Sequence, residues 1–404
     1  MNSKNISETQ SYNYFVTVLL LTIVGFVVRY HGLSEWAFTQ DDIWHYHVAN
    51  QKSLLEVFFV NFEIDGHPPL AYFLWYFLNN IFGFNEMVMR APAMVAGLAL
   101  IPASYFLGKE IFKTKNAGLF FATFFAFSDI MSVQSQVVRG YTLSMLFIVL
   151  AMLSCFQLNK TKNSIHLFLY FIFAFLALMS EFAIAPILVF TSLFSLKTVY
   201  ENKQSRLLNF FSWVLINISL LLSIVFIIYL TKLLGGLSLT EGTFENNSYT
   251  INNYFLYYLF RYGGFFLNFL YQSTFLSYLI NSKDIFSGFV KILEFSFLLI
   301  LFSCGIIIAI KKKYYVILLS FLFYLTFIII SDLSGLIPAD LARRNIGFYL
   351  MIVFFNYIGF YYFINKFKLD YKVLKSSVLT VNNFIIILCF LSIIFALKND
   401  WRRY

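Results

Sequence analysis

Apolar residues run along this chain in blocks of bilayer length, separated by short polar stretches. The blocks lie near 14–30, 90–108, 117–135, 141–158, 165–180, 182–197, 207–230, 285–310, 314–331, 345–364 and 382–397. A bilayer core requires about 20 apolar residues in helical form, so the pattern predicts about eleven spans. Two of them, 165–180 and 182–197, are short and share a tight turn at Ser180–Glu181. Lipid offers no hydrogen-bond partner to the backbone, so each block has to close its own bonds as a helix; barrel strands would be shorter and alternating. The expected fold is an all-α polytopic membrane protein, one domain over 1–404. No soluble domain, short repeat or Gly-rich phosphate loop stands out. A lone Lys4 precedes the first block and no clean small-residue cleavage site follows it, which reads as an uncleaved span.

The polar stretches set the orientation. With the N-terminus in the cytoplasm, the inside loops are "GKEIFKTKN", "NKTKN", "KTVYENKQSR", "KKK" and "NKFKLDYKVLKSS", all rich in Lys or Arg. The opposite loops are acidic, aromatic or Gly-rich, as the positive-inside bias requires. The C-terminal "KNDWRRY" runs against the bias. Alternation leaves no room for a full span at 68–82, "PPLAYFLWYFLNNIF", which is therefore expected as an amphipathic segment on the outer surface. Two outer loops are long, 30–89 and 231–284; the second is aromatic and is expected to form interfacial helices.

Composition agrees. The chain is 60% hydrophobic and 12% charged with mean hydropathy +0.75, against about 25% charged in a soluble domain. The net charge of +9 needs no nucleic-acid partner, because cytoplasmic loops account for it. Cys155, Cys304 and Cys389 lie in apolar runs and are read as buried small residues.

Ionisable groups gather in the first outer loop. Glu35, Asp41, Asp42, Glu56, Glu63, Asp65 and Glu86 fall there out of 20 acidic residues, with His31, His45, His47 and His67. Any solvated loop collects polar residues, but the string "FTQDDIWHYHVANQ" sets two adjacent carboxylates among Ile43, Trp44 and Tyr46. Such a pair serves either as a divalent-metal ligand set or as a general base. On a helix, Asp41 and Asp42 both share a face with His45.

An ordered series of motifs follows. After Asp41–Asp42 come His67-Pro68-Pro69-Leu70 with Tyr72, then Phe82-Gly83 with Glu86, Arg90 and Pro92, then Tyr105 to Gly108. Next come Gln134 or Gln136 with Arg139, Tyr141 and Leu143, and late in the chain "ARRNIGFYL". This series resembles the C-type integral-membrane glycosyltransferases, in the family-39-like branch of aminoarabinose and protein mannosyltransferases. Asp-Asp stands where the family often has Asp-Glu, and Gly140-Tyr141 stands where some branches place a second acid.

The resemblance implies transfer of a sugar from a polyprenyl-phosphate donor to a lipid, glycan or protein acceptor, at the outer face of the inner or plasma membrane. It implies Asp41 as base, with Asp42 supporting it or binding a divalent cation, and no other cofactor. Arg90, Arg139, Arg343, Arg344 and Arg261 become candidates for the lipid phosphate, since a guanidinium fork binds two oxygens. His67 and Tyr141 join that set; His45, Asp65 and Glu181 are supporting candidates. Two other classes compete: an outer-face polysaccharide polymerase or ligase, and a cation or solute transporter using Asp41, Asp42, His45 and His47. Transporters keep coupling acids within spans, and few acids here lie mid-span.

Overall fold

The computed structural model describes residues 3–30, 33, 38, 40–64, 66–184, 187–189, 191–192, 196, 206–234, 285–312, 314–333 and 347–366. Every regular element among them is helical. The expected span 382–397, part of 182–197, nearly all of the loop 231–284, and Arg261, Asp65, Arg343 and Arg344 lie outside the described residues.

Helix α1 (Ser3–Tyr30) is followed by three shorter helices, α2 (Gln40–Ala49), α3 (Leu54–Ile64) and α4 (Leu70–Phe82). Then come α5 (Glu86–Phe112), α6 (Lys115–Phe127), α7 (Asp129–Gln134), α8 (Tyr141–Thr161) and α9 (Ile165–Ser180). A 3₁₀ turn at Phe182–Ile184 precedes α10 (Arg206–Leu233), α11 (Ile285–Lys311), α12 (Tyr315–Leu333) and α13 (Gly347–Lys366). Asn13–Tyr30, Glu86–Phe112, Tyr141–Leu158 and Phe210–Thr231 are long and apolar enough to cross a bilayer; Leu70–Phe82, Ile165–Ser180, Phe295–Lys311 and Gly347–Phe363 are apolar but shorter. The chain is thus an integral membrane protein by its helices, and the expectation of about eleven spans is met only in part among the described residues.

One expected span is corrected. The block 117–135 is two helices, broken at Ser128. Ser128 leaves the helical region (φ −59°, ψ 129°), and its Oγ accepts from the Met131 N–H at 3.4 Å to cap α7. The break frees carbonyls at the end of α6. Arg29, fully buried, donates to Phe125 O at 2.7 Å and Ala126 O at 3.0 Å, and its Nε donates to Ser135 Oγ at 3.1 Å. Tyr349 Oη donates to Phe124 O at 2.8 Å. The block stays apolar on average despite Asp129; the capping serine and the distant arginine carry the kink.

The main core packs α5, α6, α8, α9 and parts of α10 to α13 through Phe121, Phe125, Met145, Tyr170, Tyr324 and Phe355. At Gly305 and Gly359 the backbones of α11 and α13 touch, with no room for a side chain on either glycine. A second cluster joins α1 to α5 and α6. A third lies under α4, where Ala71, Tyr72 and Trp75 pack against Val48, Met89, Val138 and Leu143. The opposite face of α4 exposes Phe77 and Ile81, so this helix is amphipathic. The first-loop helices therefore cap one end of the bundle, where α5 and α8 begin and α9 ends. At the other end Lys113 lies over the Phe156 ring and Lys115 over the Tyr14 ring.

Candidate active site

Helix α2 presents two faces. Asp42, His45, Val48 and Ala49 are buried, whereas Ile43, Trp44 and His47 are exposed. Asp42 and His45 share a face, as their spacing requires. Asp42, 2% exposed, accepts the Val138 N–H at 3.0 Å, which ties α2 to the turn before α8. Asp41 lies on the same helix, and its side chain is outside the described residues.

The turn into α4 is fixed from two sides. Asn61 of α3 donates to the His67 carbonyl at 2.6 Å and accepts the Gly66 N–H on its own carbonyl at 2.8 Å. Gly66 adopts φ 67°, and a Cβ there would sit 2.5 Å from Thr231 Cγ2, so α10 also reaches this end. Pro68 and Pro69 then open α4, where no intrahelical N–H is required.

These constraints aim His67 between two charged groups. Arg139 Nη1 lies 3.2 Å from His67 Nε2, and Glu181 Oε2 lies 3.8 Å from His67 Nδ1. A guanidinium can only donate, so Nε2 accepts and Nδ1 carries its hydrogen toward Glu181. The result is a chain of carboxylate, imidazole and guanidinium drawn from the end of α9, the start of α4 and the start of α8. Arg139 and Glu181 are largely buried. Gly140 permits this meeting: a Cβ there would lie 2.5 Å from Ser180 O.

Around the chain is a small, partly open cavity lined by His45, His67, Tyr72, Trp75, Arg139 and Glu181, with Pro68, Ala71, Gly140 and Ser180 completing it. His45 stacks on Tyr72 (5.0 Å, 11°) and meets Trp75 edge to face (5.4 Å, 85°). The wall is thus aromatic on one side and ionic on the other.

Two sequence candidates stand apart. Arg90, buried in α5, donates to Leu33 O, lies 3.9 Å from Glu86 and sits 5.2 Å from the Phe38 ring centroid. It thereby holds the start of the first loop. Tyr141 is buried in the main core, and its neighbour Gly140 lines the cavity instead. Residues not singled out from sequence also enter: Trp75, Ala71 and Ser180. The i, i+3, i+4, i+7 spacing of Pro68, Ala71, Tyr72 and Trp75 is the signal that points to this face of α4. Among the described residues no three His, Cys, Asp or Glu side chains converge in a metal-binding group.

Residues 66–229, from the turn before "HPPL" to the end of α10, match the family model described as dolichyl-phosphate-mannose-protein mannosyltransferase. Arg139, His67 and Glu181 all fall within the match, and Asp41–Asp42 precede it. The resemblance read from the ordered motifs holds over this stretch, which is similar to membrane glycosyltransferases of the family-39-like, C-type group.

Proposed function

We propose that the protein transfers a sugar from a polyprenyl-phosphate carrier to an acceptor hydroxyl or amine at the outer face of the cell membrane. The observation that carries this reading is the Glu181–His67–Arg139 chain lining a cavity beside the acidic helix α2. In the reaction the acceptor oxygen or nitrogen attacks the anomeric carbon, with inversion. The bond from that carbon to the phosphate oxygen breaks, and the polyprenyl phosphate leaves with the electron pair. Asp41 takes the acceptor's proton. Asp42, committed to the Val138 N–H, orients the turn that carries Arg139.

Arg139 answers the charge that grows on the leaving phosphate, and hydrogen bonds to charged groups contribute about 1.5–3 kcal/mol each. Arg343 and Arg344, which precede α13 in the sequence, are proposed to complete the phosphate site. Gly347, the first residue of that helix, lies close to Ile184 and Ile187, just past Glu181. Arg90 serves the architecture in this reading. A divalent cation at Asp41 and Asp42 is a separate proposal, and no step here is routed through it.

The outer-face assignment rests on charge: acidic and aromatic residues gather at the cavity end and lysines at the other. The test is mass spectrometry of envelope lipids and glycans from cells with and without the protein. One hexosyl or pentosyl mass increment is expected to vanish with the protein and to return with the wild type but not with Asp41→Asn. Identical profiles with and without the protein would refute the assignment.

A further inference from the structure

Trp75 has no role in the reading above. It is fully buried, it lines the cavity, and its indole Nε1 has no hydrogen-bond partner among the described residues. The ring is held on two sides, edge to face against His45 at 5.4 Å and against Tyr72 at 5.4 Å. Indole offers a donor and nothing else. Buried indole N–H groups normally find an acceptor, because leaving one unmade costs about 1–3 kcal/mol. The cavity that Trp75 lines already holds a cation, Arg139, and a hydrogen-bonded histidine.

We infer that Trp75 is a substrate-binding residue, donating its indole N–H to an oxygen of the sugar-phosphate head of the donor. This rests on the proposed function above. The acceptor is either a phosphate oxygen or a sugar oxygen, and both are the same chemistry to an indole. Because the ring is locked by His45 and Tyr72, the donor is preorganised, and a bound head that satisfies it loses little on ordering. A head lacking an acceptor at that point would leave the N–H buried and unmade, which makes Trp75 a selective contact as well.

The test measures binding of polyprenyl phosphate and of its mannosyl and glucosyl derivatives to the full chain in lipid nanodiscs. Wild type, Trp75→Phe and a protein with benzothienylalanine at position 75 are compared. The last keeps the shape of indole without the N–H, so it serves if the smaller Phe disturbs folding. Loss of the N–H is expected to weaken binding about fivefold to tenfold. Equal weakening for the bare and glycosylated lipids assigns the bond to phosphate; weakening confined to a glycosylated lipid assigns it to the sugar. Wild-type binding that both substitutions leave unchanged overturns the role of Trp75 and leaves the proposed function standing. No binding of any of these lipids by the wild type overturns that function, and this inference with it.

Discussion

Arg139 is where charge, geometry and chemistry meet, so it gives the sharpest residue-level expectations. Arg139→Lys keeps the charge and loses the planar fork. Its kcat/KM for lipid-linked sugar should fall roughly tenfold to hundredfold, the range of a charged hydrogen bond, while the unfolding temperature stays near that of the wild type. Glu181 acts through His67. Glu181→Gln retains a polar oxygen facing His67 Nδ1, 3.8 Å away in the parent, so it should keep more activity than Glu181→Ala, and steady-state kinetics of the pair reads this directly. If Gln and Ala at 181 behave alike, Glu181 does not position His67. Asp42 belongs to the same network: Asp42→Ala strands the buried Val138 N–H and should destabilise by about 1–3 kcal/mol. Asp42→Asn keeps an acceptor oxygen and should unfold near the parental temperature. The acidic pair stood out in the sequence because adjacent charges in apolar surroundings are costly to keep; His67 and Arg139 stood out through the ordered motifs, and Glu181 only as a supporting candidate at the turn between two short blocks. Their partners were not: Asp42 meets Val138 across 96 positions, and nothing in a local pattern encodes that separation.

At the level of elements, hydropathy located most helices but not their interruptions. Blocks 165–180 and 207–230 correspond to α9 and α10, because apolar length is what a spanning helix requires. The break at Ser128 escaped, since its signature is one capping hydroxyl inside a greasy run. Arg29 sits near the end of the first apolar block, a position from which long cations usually reach for water; it instead caps α6 from inside the bundle. Arg29→Met should therefore strand the Phe125 and Ala126 carbonyls and cost roughly 3 kcal/mol or more. Thermal unfolding in detergent measures it, and an unchanged transition would contradict the capping role. Helix α4 was read as a surface-lying amphipathic segment from its place in the alternation, and its buried stripe of Ala71, Tyr72 and Trp75 explains why it stays there. The same stripe supplies the cavity wall, so packing and recognition share one helical face.

For the whole molecule, the functional reading depends on which end of the bundle faces outward. Lys52 is exposed beside the cavity end, and Lys160 is exposed at the opposite end of α8. In a background lacking the three native cysteines, Lys52→Cys should react with an impermeant maleimide added outside intact cells. Lys160→Cys should react only after the membrane is opened; the reverse pattern would invert the topology. The central claim, that this end takes a sugar from a lipid phosphate, is tested most directly by one assay. Purified protein in nanodiscs is given a polyprenyl-phosphate sugar and an envelope extract as acceptor, and released polyprenyl phosphate is measured by mass spectrometry. The account predicts release by the wild type, and loss of at least a hundredfold in Asp41→Asn and in Arg139→Ala, of the size that removal of one general base or one charge-stabilising donor produces. Release at the wild-type rate by a folded Asp41→Asn protein, or no release by the wild type with any lipid-linked sugar, would contradict it.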